Sequence, residues 1–217
     1  MKKRLVKKTH KIKAVIFDMN GVLALGVELK HGTSLSKSFH ACVSKELGIE
    51  IDSWFDSIDP VYSDSIKGKV SEDKTINTIS KNLEMSRPKL EKAIIKTYKK
   101  VFRENKELYS YAFQLKKRGF KIGILSDQWP FSKKAIYNEK NLRKFDSVIT
   151  SCDVGMRKPN KKIYALTLRK LKVNANESIF IDNRDWNTKP AEKLGMKAIL
   201  FKNNKQTIRE IENLLRR

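Results

Sequence analysis

Apolar residues run unbroken from Ala14 to Phe17, meet Asp18, and resume at Val22 and Leu23 after a turn through Asn20 and Gly21. A run of this kind reads as a parallel strand buried on both faces, and open α/β sheets gather ligands just beyond the carboxyl ends of such strands. Asp18 is therefore predicted at that edge. Beyond it the apolar spacing turns helical. Leu35, Phe39, Cys42, Val43 and Leu47 mark one face of a helix over 34–47, with Gly48 placed to end it. Ser71-Glu72-Asp73 supplies an N-cap and an acidic first turn to a second helix through Ile76, Ile79 and Leu83. Ser86-Arg87-Pro88 opens a third, with Leu90, Ile94 and Val101 on its stripe. The chain reads as helical from the Asp18 turn to about Arg118.

Strands and helices then alternate. A helix over 107–118 precedes the strand 121–125, and further strands are predicted at 147–149, 178–181 and 197–201. Helices are expected near 131–139, 159–172 and 187–194, and an amphipathic helix over 205–216 closes the chain. This alternation requires right-handed crossovers and a parallel sheet. The predicted fold is α/β: a Rossmann-like parallel-sheet core of residues 1–24 and 105–217, interrupted by an all-helical cap over 25–104.

Composition narrows the class. With 217 residues, 40% of them hydrophobic, the chain is large enough to bury a full core. Cys42 and Cys152 lack redox or metal-ligand spacing, and His10, His31 and His40 are scattered, so reduced thiols, no zinc site and a cytoplasmic location are expected. The basic opening Met1 to Lys8 precedes no apolar stretch suited to a signal peptide and reads as a solvated tail. No run is long and apolar enough to suggest a membrane span. The net charge of +23 favours non-specific attraction to polyanions. Lys and Arg are nevertheless spread along the whole chain with no nucleic-acid-binding motif, so specific recognition of nucleic acid is not expected.

Four predicted strand ends finish in polar residues: Asp18-Met19-Asn20, Ser126-Asp127, the loop Gly155 to Pro159 carrying Lys158, and Asp182-Asn183. Strand ends of a parallel sheet lie along one edge, so these residues should converge. In this order the motifs resemble the haloacid dehalogenase superfamily over nearly the whole chain. The segments Ile124 to Trp129, Ser151 to Pro159 and Lys189 to Met196 are similar to the branch holding the N-terminal phosphatase domain of soluble epoxide hydrolases. The resemblance implies a magnesium-dependent phosphatase of a small phosphorylated metabolite, with Asp18, Asn20, Ser126 and Lys158 as the catalytic set. Asp18 would attack phosphorus to form an aspartyl-phosphate. Gly21, Ser126, Asp127 and Lys158 would face the phosphate, the Gly21 turn opening a cradle of backbone amides. Asp18, the Asn20 carbonyl, Asp182 and Asn183 would hold magnesium.

Two acids are absent from that pattern. Asn20 stands where the phosphatases usually carry the aspartate that exchanges a proton with the leaving group, a role that contributes a factor of about 10²–10⁴. Asn183 stands where a second acid usually binds metal. Asp127 is an added acid, read either as a substitute proton carrier or, preferably, as a cap on the next helix, and Asp182 is a candidate to move into the metal shell. A catalytically impaired relative that binds a phosphorylated ligand or partner is the second reading. Haloacid dehalogenase chemistry, which needs no metal, is a third, but that branch usually has Ser, Asn and Asp where this chain has Asp182, Arg184 and Asn187. Phe39, Trp54, Phe55 and Tyr62 are either pocket-lining or core residues of the cap.

Overall fold

The computed structural model describes residues 11–26 and 35–216. The basic opening segment, His10, His31 and the predicted helix start at Ser34 lie outside the described residues. The chain begins with β1 (Ala14–Phe17) and β2 (Ala24–Gly26), followed by four helices: α1 (Leu35–Leu47), α2 (Ile51–Ile66), α3 (Glu72–Asn82) and α4 (Arg87–Val101). A short β3 (Phe102–Glu104) returns antiparallel to β2. Then come α5 (Lys106–Lys117), β4 (Lys121–Ser126), α6 (Pro130–Ile136), α7 (Glu139–Leu142), β5 (Ser147–Thr150), α8 (Ser151–Val154) and α9 (Lys161–Leu171). The chain ends with β6 (Ser178–Asp182), α10 (Asp185–Lys193), β7 (Lys197–Leu200) and α11 (Asn204–Leu215).

Five strands form one parallel sheet in the order β5-β4-β1-β6-β7. Strand β1 is central and fully buried, as its unbroken apolar run predicts. Its alternate side chains divide between two layers. Val15 and Phe17 join Leu115, Ile124, Ile181 and Ile211 on the face covered by α5 and α11, while Ala14 and Ile16 join Leu125, Ile163, Tyr164 and Phe180 beneath α9. The strand order reverses at β1, between β4 and β6, and the crevice beyond such a reversal is where α/β sheets bind ligands.

Helices α1–α4 enclose a third apolar cluster, with Val43, Trp54, Ile76, Ile79, Leu90 and Ile94 fully buried. Caps set some of their limits: Ser71 Oγ accepts from the Lys74 amide, and Gly48 ends α1 at a φ of 71°. The cluster is pinned to the sheet by Trp129, which follows β4, is 1% exposed, and donates from Nε1 to the Tyr98 hydroxyl at 2.6 Å. Asn105 ties the lower joint, accepting from the Leu108 amide as N-cap and donating to the Val22 carbonyl and to Asn204.

The structure departs from the sequence reading at three elements. Helix α2 falls within the stretch read as helical but has no bounds of its own there, and Pro60 stands inside it; burial of Trp54, Ile58 and Val61 outweighs the lost amide. The β2–β3 ribbon interrupts what reads as continuous helix, its three-residue strands being too short for a period-2 pattern. The helix expected over 131–139 is two, α6 and α7, because Asn138 turns the chain and caps the Lys140 amide. Among the described residues no helix is long and apolar enough to cross a membrane.

Candidate active site

The four polar strand ends meet. Lys158 Nζ lies 2.9 Å from Asp18 Oδ1 and 2.6 Å from Asp182 Oδ2, and also donates to the Leu125 carbonyl at 3.3 Å. All three residues are almost completely buried. Two carboxylates share one ammonium, so each group's charge is set by the others. Burial pushes the Asp18 carboxyl up to about 7; the Lys158 ammonium pulls it down and the Asp182 carboxylate adds to the rise. Burial acts to lower the Lys158 ammonium, but Asp18, Asp182 and Asp127 together hold it well above the usual lysine value.

Ser126, at the end of β4, accepts from Gln128 Nε2 at 2.9 Å, which leaves its own O–H to donate. Gln128 also reaches Asn20, its Oε1 standing 3.5 Å from Asn20 Nδ2. This bridging glutamine is a site residue that the sequence reading did not single out; no residue-type signal marks it. Asp127 does not cap the next helix. Its Oδ1 accepts from the Lys158 amide at 3.0 Å and its Oδ2 from Arg157 Nε at 3.4 Å, so it orients the basic loop. The N-cap of α6 is Trp129, without a side-chain cap.

Gly21 also acts differently from expectation. Its amide donates to the Ala24 carbonyl at 2.8 Å, so that N–H is taken up in the turn. The glycine is required for two other reasons. Its φ of +83° lies in the left-handed region, and a Cβ there would stand 2.2 Å from Asn183 Nδ2. Asn183 thus packs directly on the turn that carries Asn20.

Asp182 is enclosed by donors. Oδ1 accepts from the Arg184 amide at 2.8 Å and from Asn187 Nδ2 at 3.2 Å, and Oδ2 accepts from Lys158 and from Asn187 Nδ2 at 3.0 Å. Asn20 Oδ1 and Asn183 Oδ1, by contrast, are buried acceptors with no hydrogen-bond partner among the described residues. Leaving such an atom unsatisfied costs about 1–3 kcal/mol, so a cation or a ligand donor is its natural complement. Magnesium prefers oxygen donors of this hard type, and the Asp18 carboxylate, the Asn20 main chain and Asn183 Oδ1 fit it chemically. With only one carboxylate among them, itself paired with Lys158, the charge opposing the ion is small. Among the described residues no group of three His, Cys, Asp or Glu forms a metal cluster.

Above this floor lies a cavity of about 130 Å³. Asn20, Gly21, Asn183 and Arg184 face it from the sheet edge, and Phe39, His40, Tyr62, Tyr98 and Phe102 from the helical side. Of the four aromatic residues singled out in the sequence, Phe39 and Tyr62 line the cavity and Trp54 is core. Trp54 nonetheless acts on the cavity: its Nε1–H donates to His40 Nδ1 at 2.8 Å. Phe55 packs against the helical core, its ring centroid 5.0 Å from that of His40. A larger cavity of about 630 Å³ lies elsewhere, between Val70, Lys133 and Asp153. Neither cavity is lined by Asp18 or Lys158, but the smaller one is lined by Asn20 and Gly21 of the turn that follows Asp18 and the larger by no residue of that turn. Burial pushes the larger one's Cys152 thiol up to about 11, away from reactivity.

Comparison with known proteins gives the geometry a context. A family model described as haloacid dehalogenase-like hydrolase matches residues 12–195. The rat protein named bifunctional epoxide hydrolase 2 is 36% identical over 115 residues, covering 51% of this chain and 21% of that protein. A glyceraldehyde 3-phosphate phosphatase of Methanocaldococcus jannaschii is 33% identical over 94 residues, 38% of this chain and 37% of its own length. Each match thus spans well under half of these relatives. Among solved structures, an enzyme of the same family from Bacteroides thetaiotaomicron, an aspartate-to-alanine mutant complexed with magnesium and inorganic phosphate, superposes with a TM-score of 0.72 at 16% identity, covering 91% of this chain and 98% of that one.

Proposed function

Because the chain belongs to the haloacid dehalogenase-like hydrolases, we propose that it hydrolyses the phosphate ester of a small metabolite through an aspartyl-phosphate on Asp18. The observation carrying this reading is the buried Asp18–Lys158 pair, 2.9 Å apart at the point where the strand order reverses. An ionised Asp18 attacks phosphorus and the ester oxygen leaves; water then attacks the aspartyl-phosphate, releasing phosphate and restoring the carboxylate. Lys158 offsets the charge of nucleophile and phosphoryl group, and the Ser126 hydroxyl donates to a phosphoryl oxygen. Both are fixed before substrate arrives. A magnesium ion, held by Asp18, the Asn20 carbonyl and Asn183, would supply further charge neutralisation on the phosphoryl oxygens. Helices α1–α4 act as a cap that excludes water and selects the leaving group.

The magnesium-related relative and the phosphatase relative support this reading by family. Asn20 limits the rate. An amide neither protonates the departing oxygen nor deprotonates water, and restoring that function should raise kcat by about 10²-fold or more. In assays with magnesium and a broad panel of phosphate monoesters, the parent should release phosphate slowly, Asn20→Asp faster, and Asp18→Asn not at all. Release that persists in Asp18→Asn would sink the mechanism. A second reading, a ligand-binding relative without turnover, is favoured by the paired Asn20 and Asn183; it holds if the parent is silent and only the Asn20→Asp, Asn183→Asp double variant is active.

A further inference from the structure

The two walls of the 130 Å³ cavity differ in hydrogen-bonding character. Its floor is lined by Asn20 and Asn183, whose buried amide oxygens have no hydrogen-bond partner among the described residues. Its rim presents donors. Because His40 Nδ1 accepts from Trp54, the proton of the neutral ring sits on Nε2. Burial pushes this imidazole down to about 4, so at neutral pH it is an uncharged N–H donor and no proton carrier. Tyr62 meets His40 edge to face, with ring centroids 6.0 Å apart. Burial raises the Tyr62 phenol, and the positive fields of Arg157 and Arg184 oppose that rise; Tyr62 and Arg184 line the same cavity.

Arg184 completes the rim. Its guanidinium lies over the Trp186 ring, 5.0 Å from the centroid, an arrangement that orients the planar group. Among the described residues no carboxylate oxygen lies within salt-bridge distance of it, and no carboxylate side chain lines the cavity. Arg184, Tyr62 and His40 thus line one small space. That set suits a ligand group that only accepts, carries negative charge and is flat.

We propose that Arg184, Tyr62 and His40 form a carboxylate subsite, so that the substrate is a short phosphate monoester whose leaving group ends in a carboxylate. The phosphoryl end lies toward Asp18 and Lys158, and the carboxylate toward the rim. The cavity, about 130 Å³, suits a short leaving group. The proposal rests on the phosphatase reading for the reaction at Asp18, and on the cavity alone for recognition.

Binding of non-hydrolysable probes to the full chain separates the two. Phosphonopropionate and hydroxypropylphosphonate have the same length and differ in carboxylate against hydroxyl; ethylene bisphosphonate places a second phosphorus acid at the same point. Calorimetry with magnesium present should show the carboxylate probe binding at least about tenfold tighter than the hydroxyl probe, the scale of one charge-assisted hydrogen bond. The ratio should hold from about 0.15 M to about 1 M salt, since a direct contact is screened less than the general field of a protein of charge +23. Arg184→Gln should reduce the ratio to within about twofold, and Tyr62→Phe should reduce it in part. Arg184 is exposed and its backbone contact to Asp182 survives substitution, so folding is preserved. Equal binding of the two probes, a preference that vanishes at high salt, one that survives Arg184→Gln, or tighter binding of the bisphosphonate overturns the subsite. A preference that behaves as described, in a protein that releases no phosphate from any ester, upholds the subsite and overturns the hydrolytic reading instead.

Discussion

Asp18 is placed so that its chemistry and its stability oppose each other. Burial is the largest influence on its carboxyl, raising it from 3.8 to about 7. In the metal-free site the ionised form needed for attack therefore declines below neutral pH, and magnesium affinity should weaken as pH falls below about 7. The stability consequence has the opposite sign. A carboxyl raised in the folded state contributes most below its unfolded value and loses that contribution as pH rises through the folded one. Asp18→Asn, which is neutral throughout, should gain melting temperature over the parent as pH rises from about 4 to about 7, with a plateau above. A difference that is constant or shrinks with pH would contradict this. Asp18, Ser126, Lys158 and Asp182 are legible in the sequence because each ends or follows a strand in a parallel sheet, and the sheet edge brings them together. Gln128, His40 and Arg184 are not, because each acquires its position from a partner distant in the chain. The roles of Gly21 and Asp127 are misread for the same reason: their amide and carboxylate are satisfied within or across loops.

Elements are legible where one periodicity runs long enough. Strands β1, β4 and β6 and helices α3, α4, α5 and α11 follow their apolar spacing closely. Helix α2 lies in a stretch legible as helical without its bounds, and β2 and β3 are visible only as a pair. Trp129 joins the helices to the sheet at the upper end, as Asn105 does at the lower. Trp129 leaves the end of β4 two residues after Asp127, packs edge to face with Phe131 and Tyr62 at 5.0 and 5.1 Å, and bonds Tyr98. Through it the wall of the cavity is fixed to the strand end that carries Ser126. Trp129→Ala should destabilise the fold by about 3–5 kcal/mol, read from urea unfolding by circular dichroism. A loss below about 1 kcal/mol would mean that the helices are held to the sheet by other contacts.

At the scale of the whole molecule, charge is the feature that the fold does not explain. With 47 Lys and Arg against 24 Asp and Glu, the protein should attract any polyanion, and nucleic acid should be retained at about 50 mM salt and released by about 200 mM without sequence preference. Retention at the higher salt with a preferred sequence would point to a specific interface. The same field steers anionic esters toward the crevice, which is why the central question is what happens to phosphorus once it reaches Asp18. With an aryl phosphate, whose leaving oxygen needs no proton, Asn20 slows only the attack by water, so the covalent intermediate should accumulate. The direct measurement is intact mass after acid quenching of the protein with magnesium and an aryl phosphate, with the modified residue located by fragmentation. One phosphoryl group per chain, on Asp18 and absent from Asp18→Asn, is the predicted result; phosphate release with no adduct, or an adduct on another residue, would contradict the account.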